Sequence, residues 1–92
     1  MSEPGVLPNS GFVLHDYVLT FAVADDARRA LLVERCRGAW LGDEITPTTW
    51  EISNNLEPED LERAILELLG DGDRAAYYYL SDTKRIFRVM LG

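Results

Sequence analysis

The stretch LTFAVADDARRALL, residues 19–32, changes its period part-way through. Up to Val23 it is nearly continuous apolar sequence with aromatic and β-branched residues, as suits a strand covered by other elements. Two acids follow, Asp25 and Asp26, and then an arginine-bearing pattern at helical spacing. A strand ending near a carboxylate is a common place for a metal ion, so the acids pose a choice between chemistry and capping. Capping is the simpler account. An aspartate before a helix accepts a first-turn N–H and sits well at the positive helix end, worth ~1 kcal/mol. A displaced metal site on Asp25 and Asp26 is the alternative.

Working outward, residues 17–23 read as a strand and Asp25 or Asp26 as the start of a helix that stops at Gly38. Ala27, Ala30, Leu31, Leu32, Val33 and Cys36 give that helix a broad apolar face. Trp40, Leu41 and Ile45 mark a second strand region, broken by Gly42 and turned near Pro47. Residues 48–53 alternate, with Trp50 and Ile52 on one side and Thr49, Glu51 and Ser53 on the other.

A second helix is announced by Pro58 at its first position, with Glu59 and Asp60 beside the positive end and Leu56 placed to staple to Leu61. Leu61, Ala64, Ile65 and Leu68 continue it, and Gly70 closes it. Residues 75–80 and 85–91 read as two more strands, the last alternating Phe87, Val89 and Leu91 against Ile86, Arg88 and Met90.

The order β-α-β-β-α-β plus a terminal strand predicts an α+β fold, a ferredoxin-like sandwich with two helices on one face of an antiparallel sheet. The other sheet face is left uncovered in a monomer, and an exposed apolar sheet face marks an interface. Residues 1–11 read as a flexible lead-in and residues 12–92 as a single domain.

Sixteen acids against nine basic residues in 92 give a net charge of −7, which disfavours bulk binding to nucleic acid or an anionic membrane. The charge is uneven: residues 57–73 hold Glu57, Glu59, Asp60, Glu62, Glu67, Asp71 and Asp73 against Arg63. Cys36 is the sole cysteine, so no internal disulfide forms. No secretory signal is visible and no apolar run approaches the ~20 residues of a membrane helix, so a cytoplasmic protein with no membrane association is expected.

Val18-Leu-Thr-Phe21, then Val23-Ala-Asp-Asp26, Arg28-Arg29 and an apolar helix resemble the small CRISPR-associated adaptor and endonuclease proteins and their stand-alone bacterial relatives. Gly38-Ala-Trp40, Thr48-Thr-Trp50, Leu56-x-Pro58-Glu-Asp-Leu61-Glu and Gly72-Asp-Arg74 extend the likeness over roughly residues 17–91. The resemblance implies a dimeric partner of a spacer-integrating enzyme. Family members with nuclease activity carry an aspartate after the aromatic that closes the first strand, one from each protomer, around a shared divalent metal. Here Ala22 follows Phe21, and a methyl group cannot ligate magnesium.

The expected protein is therefore a non-catalytic homodimer, with a further protein partner allowed for and no cofactor. Trp40, Trp50, Tyr77, Tyr78, Tyr79, Phe87 and Val89 are the candidates for its core and sheet-face interface. Arg28, Arg29 and Arg35, with Arg37 nearby, are candidates for phosphate contacts. His15 is expected to bond locally, Cys36 to be a core thiol and Gly70-Asp-Gly72 to be a turn. A divalent-metal nuclease using Asp25 or Asp26, and a regulatory domain binding a small molecule or a protein, are the alternatives.

Overall fold

The computed structural model describes residues 13–81, 83 and 85–92. The expected lead-in over residues 1–11 lies outside them. The elements run β1 (His15–Ala22), α1 (Asp26–Arg37), β2 (Asp43–Thr46), β3 (Thr49–Asn54), α2 (Pro58–Leu68), β4 (Arg74–Leu80) and β5 (Arg85–Leu91). The protein is α+β, with two helices and a five-stranded sheet of order β2-β3-β1-β4-β5 in which every neighbouring pair is antiparallel. That order is compatible with a ferredoxin-like arrangement.

Helix starts follow the local chemistry. Asp25 caps α1, its carboxylate accepting the Arg28 N–H at 2.9 Å. Asp26, in the first turn, pairs with Arg29. The two aspartates begin a helix, as expected. Pro58 opens α2, where a missing N–H costs nothing, and Leu61 and Ile65 are buried one turn apart.

Two expectations need correction. The second strand is only four residues, all exposed, and Trp40 precedes it. The Trp40 carbonyl nevertheless accepts the Ser53 N–H at 2.8 Å, so the backbone contact with β3 is made before the ladder begins. The broad apolar face of α1 is also narrower. Leu32 and Cys36 are buried and Val33 partly so, whereas Ala27, Ala30 and Leu31 face out. Arg28 and Arg29 share the inward stripe, because residues four apart on a helix stack on one side.

One core forms from Tyr17, Leu19 and Phe21 of β1, Trp50 and Ile52 of β3, Ala75 and Tyr77 of β4, Met90 of β5 and the inward residues of both helices. Burial pushes the Cys36 thiol up to about 12, as a core sulfur requires. Leu61 is fully enclosed in this core. Leu61→Ala is expected to cost about 3 kcal/mol by urea denaturation, through lost burial and an unfilled cavity. A loss under about 1 kcal/mol would contradict this packing.

Candidate functional site

Three groupings of side chains are candidates for a site. The first is a knot around Asp73, just before β4. Its carboxylate is 3% exposed and accepts the Gly70 N–H at 2.7 Å, the Arg28 Nε–H at 3.0 Å and the Ala24 N–H at 3.3 Å. Gly72 takes a positive φ of 86° in the turn between them. A Cβ at Gly70 would meet the Arg28 guanidinium, which would have to shift from its place over the turn. The knot ties the entry of α1 to the exit of α2 and the start of β4.

An open cleft of about 620 Å³ lies beside it, lined by Ala22, Arg29, Thr48 and Asp73 among others. Its charged groups are already matched. Asp73 has three donors, and Arg29 pairs with Asp26 and donates to the Val23 carbonyl at 2.7 Å. The cleft has the shape of a site and, among the described residues, no unmatched charged side chain to define a ligand.

The second grouping lies under the start of α2. The His15 Nδ1 meets the Tyr79 hydroxyl at 2.7 Å and its Nε2 meets Glu57 at 3.2 Å, so the histidine bonds locally, as expected. Tyr79 stacks on Tyr17 with centroids 5.0 Å apart. The Tyr17 hydroxyl donates to the Leu56 carbonyl at 2.5 Å, and the Tyr77 hydroxyl donates to Glu62 at 2.7 Å. Burial, and for Tyr77 the Glu62 carboxylate as well, pushes both phenols well above their ordinary value. These hydroxyls pin β1 and β4 to α2.

The third is the sheet face away from the helices. Alternation along the strands sends Tyr78 and Leu80 of β4 and Phe87, Val89 and Leu91 of β5 to this side. Phe87, Val89 and Leu91 are 61%, 57% and 66% exposed. The Tyr78 and Phe87 rings lie 6.5 Å apart. Five large apolar side chains on one face make a contiguous patch of the kind that marks an interface.

The sequence candidates thus divide. Tyr78, Phe87 and Val89 come together on the open face. Trp40, Trp50 and Tyr77 are 3%, 2% and 1% exposed and belong to the core on the helix side, and Tyr79 is partly buried against it. The small helices do not fill the space above the sheet, and the indoles do. The Arg35 guanidinium lies 5.6 Å from the Trp40 ring centre and Arg37 lies 5.5 Å from that of Trp50. With Arg28 and Arg29 in ion pairs, all four arginines are engaged within the chain. Among the described residues, no three His, Cys, Asp or Glu side chains gather as a metal ion requires, and no helix is long and apolar enough to cross a membrane.

Sequence reasoning missed Asp73, which looked like part of an acidic run, and left Leu80 and Leu91 off the face. The alternation that puts Phe87 and Val89 outward also puts Leu91 there, so that signal was present. No family model, curated protein or solved structure matches the chain.

The Gly70 N–H, followed by the Arg28 and Ala24 hydrogen bonds, holds the Asp73 carboxyl below the ordinary carboxylate range against the opposing effect of burial. The stabilisation it supplies is complete above the unfolded carboxylate value near ~4 and is lost as pH falls through the lower folded value. Denaturation curves of wild type and Asp73→Asn should therefore be furthest apart at neutral pH and converge in acid. A gap independent of pH would refute the knot.

Proposed function

We propose that the chain is a non-catalytic interaction protein, a homodimer on a ferredoxin-like frame, joined through the open sheet face and β5. The single observation that carries this is the run of five outward apolar side chains from Tyr78 to Leu91 on a sheet whose other face already holds the core. Leaving that surface in water forgoes roughly 25 cal/mol per Å² of apolar area, which a second copy can recover. A small domain, which buries a modest share of its surface alone, gains proportionately from association.

The strand order supports the ferredoxin-like frame, since it places β1 between β3 and β4 with both crossovers passing through helices. The likeness of residues 17–91 to the CRISPR-associated adaptor proteins supports dimerisation and an adaptor role. Ala22, where nuclease members of that family have aspartate, supports the non-catalytic side of the reading.

Light scattering at micromolar concentration should return twice the chain mass. Phe87→Glu sets a charge in the centre of the patch and should raise the dimer dissociation constant about 100-fold, with the circular dichroism spectrum unchanged. A monomeric wild type would overturn the proposal.

A further inference from the structure

The open face is laid out in rows whose two ends differ in size and charge. The ladder registers set out four rows across β1, β4 and β5: Asp16–Leu80–Arg85, Val18–Tyr78–Phe87, Thr20–Ala76–Val89 and Ala22–Arg74–Leu91. In each row the β4 residue stands at the centre, with β1 on one side and β5 on the other.

Resting on the dimer reading above, we infer that the two copies pack face to face about a two-fold axis lying along β4. Rotation about that axis keeps each row at its height and exchanges its ends. Asp16 then faces Arg85 of the second copy and Arg85 faces Asp16, the reciprocal contact of an isologous interface. Both side chains are exposed, and neither takes part in an ion pair among the described residues.

Shape follows the same exchange. The β5 side of the face is a ridge of Phe87, Val89 and Leu91, while the β1 side carries the smaller Val18, Thr20 and Ala22. A hollow of about 170 Å³ lies over Thr20, Ala22 and Ala76 beside Val89. Two-fold exchange seats the ridge of each copy on the low side of the other. Ala22 receives Leu91, and Tyr78 meets its own counterpart on the axis. Sheets packed face to face keep their strands within about 30° of alignment, an offset that long side chains such as Arg85 span.

Two other axes fail on the same rows. An axis along β1 would carry Tyr78 onto Glu51, which shares a row with Val18 through the β1–β3 register. A perpendicular axis would set Arg85 on Leu91 and Leu80 on Arg74, placing charge on apolar surface. With the axis along β4, Glu51 stays outside the contact, and Arg74, like Tyr78, meets its own counterpart, in the row that ends the face.

The test is a charge exchange read by sedimentation equilibrium. Asp16→Arg and Arg85→Asp singly turn two attractions into two repulsions, and each should weaken the dimer about tenfold. The double variant restores both pairs and should return the dissociation constant to near the wild-type value. A wild-type dimer indifferent to Asp16→Arg would overturn this axis and leave the dimer reading intact, since Asp16 lies two strands from the β5 edge. A monomeric wild type would overturn both.

Discussion

Two helices can cover only one face of a five-stranded sheet. Five strands at about 4.8 Å spacing make a surface about 20 Å across. Two helices side by side, each about 10 Å in diameter, match that width once. The buried helical residues Leu32, Cys36, Leu61 and Ile65 therefore all serve one side of the sheet. The strands must alternate between a helix-facing set and a set left to water or to another molecule. Everything distinctive about this protein lies in how that second set is composed.

It is composed unevenly. Toward β2 and β3 the open face carries Thr49, Glu51 and Ser53, with Thr20 and Thr49 sharing a 3.0 Å hydroxyl contact. This half is at home in water. Toward β4 and β5 it carries Tyr78, Leu80, Phe87, Val89 and Leu91. Exposed strands are readily made polar on their wet side, and this half is not. The free edge of β5 adds to the argument. It is a seven-residue strand without proline at the end of the sheet, with Arg85 and Arg88 as its charges.

Much of the frame could be read from the sequence because periods of two and of three to four are visible without tertiary information. The start of α1 at Asp25, the start of α2 at Pro58 and the alternation of β3 depend on neighbours a few residues away. Three consecutive tyrosines are different. Tyr77, Tyr78 and Tyr79 are chemically identical, and only the register with β1 and β5 decides that the middle one faces out. Trp40 and Trp50 were equally ambiguous, since large rings suit a core or an interface. The deciding fact is that α1 buries only Leu32 and Cys36 and leaves volume for indoles. Asp73 depends on three partners from Ala24 to Gly70, a convergence that no local pattern announces.

Ala22 belongs both to the first strand and to this face. It ends β1 on the open face, in the row shared with Arg74 and Leu91, and it lines the hollow in that face. A carboxylate there is what the resemblance implies for the nuclease members of that family. A methyl group instead makes the low end of a surface whose opposite side rises in Leu91. Packing across a two-fold axis needs such a step, because a face that is bulky on both sides of the axis touches its copy only at the rims. Ala22 thus offers no oxygen to a cation and leaves a low point in the face.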